Sequence, residues 1–331
     1  MATMRVLAMV LAGGTGTRLH PLTAENAKPA LPLAGGCRIV DFVLSNLFNS
    51  GIVSVYVLAQ HKPSSLLEHI GCAWGPAVCG PDRFVRVVLP DPGRIREGFL
   101  GTADAVYRNL SLVNRHRPDL VAVFAADQVY RMDVAQMVEF HTRSRATLTV
   151  AAVPVPVNKA SSFGVIVTAR DGRVKEFQEK PQTPAPIPTY PTHAYASMGN
   201  YLFEPCVLVE LLTEAHGRGE TDFGRHILPR ASRSHRVFAY DFRSNRVPGL
   251  RACEEPHYWR DVGTLAAYRG AQADVSGSEP RFNLANACWP VRPDPPNRAT
   301  ACLRGSMASA ERWHPVGTVC APRGPRPGRP C

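Results

Sequence analysis

The chain has 331 residues, enough for one large α/β domain plus an appendage, since single cores stop growing at roughly 250 to 300 residues. Its composition, 45% apolar and 20% charged, is that of a globular protein, and no run approaches the roughly 18 apolar residues of a membrane span. The net charge of +11 is not gathered into a Lys/Arg block with interleaved aromatics, so it reads as a solvated surface that draws in small polyanions, with no nucleic acid and no membrane as partner.

The start "MATMRV" lacks the basic segment and apolar core of a signal peptide. None of the nine cysteines forms a C-x-x-C pair, so they are expected to be reduced thiols in a cytoplasmic protein.

In chain order, "VLAMVLA" (6–12), "VSVYVLA" (53–59), "FVRVVL" (84–89) and "LVAVFAA" (120–126) are continuous apolar runs, the pattern of strands buried on both faces. Between them, "RIVDFVLSNLFNS" (38–50), "KPSSLLEHI" (62–70) and "TADAVYRNLSLV" (102–113) carry apolar residues at helical spacing. Strand and helix in alternation predict an α/β fold built on a doubly wound, mostly parallel sheet, Rossmann-like in type. The middle of the chain turns β-rich, with strands expected at 146–155, 163–168, 173–180 and 196–203, folding partly as hairpins over the same cleft. The prolines of "PQTPAPIPTYP" (181–191) predict a loop.

From 276 to 331 the chain is rich in proline, arginine and glycine, with eight arginines against Glu279, Asp294 and Glu311. A domain over 1–275 followed by an irregular, poorly packed tail over 276–331 is the expectation.

The first strand runs into "GGTGTR", Gly13, Gly14, Thr15, Gly16, Thr17 and Arg18. Successive backbone N–H groups of a glycine-rich turn can converge on phosphate oxygens, and ligands of doubly wound sheets gather beyond the carboxyl ends of the strands. The loop is neither a Walker P-loop nor a G-x-G-x-x-G dinucleotide fingerprint, and glycines alone fit a plain tight turn equally well. Its basic company favours an anion: Arg18 belongs to the loop, and Lys28 follows in "AKPA", so the two could clamp a triphosphate.

These residues lead to a resemblance. "LAGGTGTRLHPLT", "AKPALPLAGGCRIVDFVLSNLFNSGI", "GTADAVYRNL", "VYRMD", "FGVI", "EFQEKP", "ASMGNYLF", "DFGRHILP" and "YWRDVGTLAAY" resemble, in order and over roughly residues 5 to 292, the sugar-1-phosphate nucleotidyltransferases, and the ADP-glucose pyrophosphorylase branch in particular. The resemblance implies adenylyl transfer from ATP to α-D-glucose 1-phosphate with Mg²⁺, for glycogen or other α-glucan synthesis. It implies catalytic roles for Arg18, Lys28 and Asp127 and metal ligation by Asp127 and Asp261. It also implies nucleotide contacts at the glycine loop, Gln60, Gly101 and Thr102, and sugar-phosphate contacts at Phe99, Gly164, Glu179, Lys180 and Ser197. In such a reaction the sugar phosphate is itself the nucleophile, so the protein's work is positioning and charge stabilisation. Asp261 reads alternatively as a helix N-cap, and Lys180-Pro181 as an ordinary turn.

Several positions depart from the family pattern. Asn26 stands where an arginine is usual, Leu100 where a polar residue is usual, and Phe99 where a tyrosine is often found. Ala126-Asp127-Gln128 replaces Gly-Asp-His. No hexapeptide repeat follows residue 275, so the β-helix of the family is expected to be missing, as in a truncated or frame-disrupted protein. Sugar-phosphate control should then be weak, and the usual homotetramer is not expected, although another homo-oligomer is compatible. Two other readings follow from these departures: a catalytically impaired nucleotide-binding or regulatory subunit, and transfer of another base or to another sugar.

Overall fold

The computed structural model describes residues 4–75, 82–91 and 98–291. Its centre is a nine-stranded sheet. The strands are β1 (Val6–Ala12), β2 (Ser54–Ala59), β3 (Phe84–Val88), β4 (Leu120–Ala125), β5 (Leu148–Pro156), β6 (Gly164–Thr168), β7 (Val174–Glu179), β8 (His193–Phe203) and β9 (Val237–Asp241). The order β3-β2-β1-β4 is parallel throughout. β8 enters antiparallel beside β4 and pairs on its other side with β5, which β9 joins in parallel. The β6–β7 hairpin attaches to the first half of β8. Only β7 and β8 run against the rest, so the sheet is mostly parallel as the apolar runs predict. The middle strands extend this sheet rather than forming a second one.

Why the early strands lack an alternating pattern is visible in their two faces. Ala8, Val10 and Ala12 of β1 enter one core, with Val40, Val43, Leu44 and Leu47 of α1 (Ile39–Asn49). Leu7 and Met9 enter the other, with Ala103 and Val106 of α3 (Thr102–Tyr107) and Leu208, Leu211 and Leu212 of α6 (Pro205–Gly217). Successive side chains point to opposite faces and helices cover both, so every position is apolar. The remaining helices used below are α2 (Ser64–His69), α4 (Leu110–His116), α5 (Val134–Arg143) and α7 (Leu265–Asp274). The expected single helix over 102–113 is divided into α3 and α4. Asn109 breaks it at φ −111°, its side-chain amide donating to the Ala105 carbonyl at 2.8 Å.

A third core joins the opening loop to residues 258–291. Leu19, Leu31, Ile39 and Phe42 pack with Val129, Tyr258, Val262, Tyr268 and Phe282. It surrounds a small antiparallel ribbon in which Gln128–Tyr130 pairs with Trp259–Asp261.

Two expectations are corrected. Residues 276–291 form no helix or strand, but they are not poorly packed: Phe282 is buried against Phe42 and Tyr258, and Trp289 donates to Asn46 at 3.3 Å. Two aromatics suffice to anchor a segment whose composition shows no periodicity. The rest of the expected tail, 292–331, lies outside the described residues. Cys72 is disulfide-bonded, so not all nine cysteines are reduced thiols; a disulfide needs only two sulfurs brought within reach by the fold, which spacing does not reveal. Among the described residues, Cys206, Cys253 and Cys288 are free thiols. No helix of the described residues is long and apolar enough to cross a membrane.

Candidate active site

A cavity of about 570 Å³ opens beyond the carboxyl ends of β1, β2 and β4, within the usual range for a ligand site. Its walls include Gly13, Gly14, Thr15, Lys28, Gln60, Phe99, Gly101, Thr102, Asp127, Glu179 and Lys180.

The glycine loop leaves β1 and turns at Gly16, whose φ of +65° is the left-handed conformation that glycine adopts at no steric cost. A Cβ there would stand 2.9 Å from the Thr23 methyl and 3.2 Å from Lys28 Cβ. The Thr23 hydroxyl donates to the Gly16 carbonyl at 2.9 Å, folding the following segment back so that Lys28 returns beneath the loop. The N–H groups of Gly14, Thr15 and Gly16 donate to no acceptor among the described residues. They are available to an anion, as a phosphate cradle requires.

Gln60 sits just after β2 and is fully engaged. Its amide donates to the carbonyls of Gly13 at 3.2 Å and Phe99 at 3.3 Å, and its carbonyl accepts from Phe99 N at 2.6 Å. The side chain therefore acts as a tie between the glycine loop and the 98–101 loop. Phe99 stands on this side of the cavity with its backbone held in that tie. Gly101 is required by proximity: a Cβ would stand 2.4 Å from the Thr221 carbonyl oxygen. The hydroxyl of Thr102 donates to Asp222 at 3.2 Å and accepts from Phe223 N at 3.0 Å, joining the 98–102 loop to the turn that ends in Gly224.

On the opposite side the ion pairs begin. Lys28 Nζ donates to Asp127 Oδ2 at 2.7 Å, with the lysine almost wholly buried and the aspartate side chain 39% exposed. Asp127 follows β4. The ribbon register sets Asp261 opposite Gln128, and Val262 N donates to the Asp127 carbonyl at 3.3 Å, so the two aspartates are neighbours. Burial, and then the Asp127 charge, push the Asp261 carboxyl above the usual carboxylate range; Lys28, Arg18 and Lys180 pull the other way. Arg18 and Asp261 meet over Gly263, where a Cβ would lie 2.8 Å from Asp261 Oδ2 and 3.3 Å from Arg18 Nη2. Asp261 is not a helix N-cap: Thr264 fills that role for α7, accepting from Ala267 N at 3.2 Å.

Glu179 ends β7 and Lys180 follows it, with their charged groups 3.2 Å apart. Lys180 has φ +47°, and its N–H donates to the Phe163 carbonyl at 3.1 Å. The Glu179 carboxylate lies against Gly164 and Gly224, where Cβ atoms would come within 3.1 and 2.5 Å of it. Ser197 accepts from Gly199 N at 3.2 Å at the register shift of β8. Gly16, Thr17, Arg18, Gly164, Ser197 and Asp261 are not among the residues that line the cavity.

Two carboxylates side by side, one of them raised by burial and then by its neighbour, are the arrangement a divalent cation relieves. Among the described residues no group of three or more acid, His or Cys ligands could hold a metal unaided.

The turn over 221–224 and the β8 residues Gly199 and Tyr201 also line the cavity, and sequence reasoning gave them no role. "DFGRHILP" and "ASMGNYLF" stand out as motifs, but their distance from Thr102 and Asp127 along the chain hides the contact. Gln128 does not line the cavity: its side-chain carbonyl accepts from Trp259 Nε1 at 3.0 Å inside the ribbon.

A glycine loop beyond the first strand of a doubly wound sheet, facing a lysine and an aspartate pair, defines a class of phosphate-handling enzymes. The nucleotidyl transferase family profile matches residues 7–278, and the chain belongs to that family. Among curated proteins it is 50% identical to a glucose-1-phosphate adenylyltransferase of Thermodesulfovibrio yellowstonii, over 87% of this chain and 71% of the relative. Enzymes of the same description from Thermus thermophilus and an Anaeromyxobacter species are 49% and 47% identical. Those matches cover 88% and 87% of this chain and 72% and 70% of the relatives.

Proposed function

We propose that the chain transfers the adenylyl group of ATP to α-D-glucose 1-phosphate, giving ADP-glucose and pyrophosphate. The observation that carries this reading is the Lys28–Asp127 pair, backed by Asp261 and Arg18, across one cavity from Glu179 and Lys180.

The sugar phosphate oxygen attacks the α-phosphorus in line and pyrophosphate departs, so no covalent group from the protein is needed. Two anions must approach one another, and the cost of that repulsion is what the site offsets. The free N–H groups of Gly14 to Gly16 receive the triphosphate, and Arg18 and Lys28 neutralise charge on the leaving side. Lys180 holds the phosphate of the sugar, and Glu179 accepts from sugar hydroxyls. Asp127 and Asp261 would hold Mg²⁺, which supplies Lewis-acid stabilisation to the phosphoryl oxygens. Gln60, Gly101 and Thr102 fix the walls of the nucleotide side.

Pyrophosphate release with four nucleoside triphosphates, each against several sugar 1-phosphates, tests the assignment. ATP with glucose 1-phosphate is expected to exceed every other pair in kcat/KM. Preference for another base or sugar would overturn the substrate assignment, and absence of any turnover would overturn the reading as an active enzyme.

A further inference from the structure

A second cavity, about 250 Å³, lies at the other end of the ribbon that carries the aspartate pair. Asp127 and Asp261 stand at one end of the paired segments; Arg131 and Tyr258 stand at the other and both line this cavity. Its volume equals about eight waters at roughly 30 Å³ each, room for a ring or branched chain with one charged group and too little for a nucleotide.

The charges on its wall are unevenly matched. Arg131 is committed to Glu254 at 2.7 Å and to the Asn283 carbonyl at 2.5 Å, while its Nε–H is buried with no partner among the described residues. Glu255 is shared by Arg260 at 2.8 Å and Arg281 at 2.6 Å. Arg246 has no carboxylate within ion-pair distance among the described residues. Its Nη1 donates to the carbonyls of Arg243 at 2.6 Å and Asn245 at 3.0 Å, and to His257 Nε2 at 2.9 Å. Arg246 is exposed, so one edge of its guanidinium is held by these contacts while the charge is open to solvent and to a ligand in the cavity. His257 is held at φ +76°, a conformation that costs a non-glycine residue free energy and concentrates at ligand sites. Phe242, Leu250 and Phe282 supply an apolar wall.

We propose that this cavity binds a small organic monocarboxylate, its carboxylate on Arg246 and its apolar body against Phe242, Leu250 and Phe282, and that occupancy acts through the ribbon on the Asp127–Asp261 pair. The planar fork of an arginine matches a carboxylate. A dianion is disfavoured because Glu254 and Glu255 share the wall. The first half stands on the cavity alone; the second rests on the metal-dependent activity assigned above.

The test is calorimetric titration of the full chain with phenylacetate, with neutral phenylacetamide as its matched control. A ligand of this size is expected to bind with a dissociation constant on the order of 1 mM. Phenylacetamide and the Arg246→Met variant should each weaken binding about tenfold or more. Leu250→Asp, a change at an exposed position that sets a second negative charge beside the ligand, should do the same and guards against a folding defect in the first variant. No phenylacetate binding at about ten times that concentration, or equal binding by Arg246→Met and wild type, overturns the site. Saturating phenylacetate is expected to shift the Mg²⁺ half-saturation of pyrophosphate release about twofold in wild type and not in Leu250→Asp; binding without that shift overturns the link through the ribbon.

Discussion

Replacing Lys28 by methionine separates the two things its ammonium does. The methionine retains most of the buried stem, so packing beneath the glycine loop is kept. The lost ion pair spans 2.7 Å, a range at which two unit charges attract by several kcal/mol at an effective dielectric of about 20. Asp127 is 39% exposed, however, and solvent screening reduces the net contribution of the pair to about 1 kcal/mol. For a domain of this size that lowers the midpoint of thermal unfolding by about 2 to 4 °C. In the proposed reaction the same charge would face a departing anion in the cavity, where removing one stabilising group costs about 10²- to 10³-fold in kcat. Lys28→Met should therefore unfold within a few degrees of wild type and lose activity by about that factor in a continuous pyrophosphate-release assay. With the lysine gone, one of the three cations that oppose the rise of the Asp261 carboxyl is removed, so the acid limb of the rate profile should move to higher pH. A variant that keeps kcat/KM within about threefold of wild type would refute the electrostatic role given to this residue.

Other positions give sharper structural readings. Gly101→Ala places a methyl 2.4 Å from the Thr221 carbonyl and must move the 98–102 loop, so KM for the triphosphate should rise at least about tenfold; unchanged steady-state constants would show that the loop is not held as described. Gln60→Ala removes three hydrogen bonds worth about 0.5 to 1.5 kcal/mol each and should raise the same KM while leaving metal half-saturation unchanged, since the tie lies away from Asp127. His141 is pushed down to about 4 by burial, with its Nδ1 against the Thr149 hydroxyl at 2.8 Å. Its ordinary value is 6.5, so between about pH 6.5 and 4 the unfolded chain binds a proton that the folded chain refuses. Stability should fall across that window by up to about 3 kcal/mol and level off below it, and urea midpoints of His141→Asn should show a shallower acid decline. An equal decline in the two proteins would remove His141 as its source.

How much of this was legible from the chain depends on sequence distance. β1 is written in seven consecutive apolar residues because both of its faces are buried, and the expected span matches Val6–Ala12. The glycine loop and Lys28 are close enough in sequence for their partnership to be inferred. The Asp127–Asp261 pairing rests on a ribbon register between segments far apart along the chain, so only the resemblance pointed to it. The Gln60 tie was missed for a different reason: a glutamine in a strand-end loop looks the same whether it faces a base or three backbone groups. The packing of 276–291 was hidden because Phe282 and Trp289 anchor a segment with no repeating pattern. The break between α3 and α4 was hidden because one asparagine amide bonding back to a carbonyl leaves the helical spacing of apolar residues intact.

The direct test of the aspartate pair is kcat for ADP-glucose formation by Asp127→Asn at saturating Mg²⁺, in a sample whose unfolding midpoint matches wild type. Loss of one carboxylate beside Asp261 should lower kcat at least about a hundredfold, because the phosphoryl charge then goes largely unneutralised. A rate within a few-fold of wild type would contradict the account.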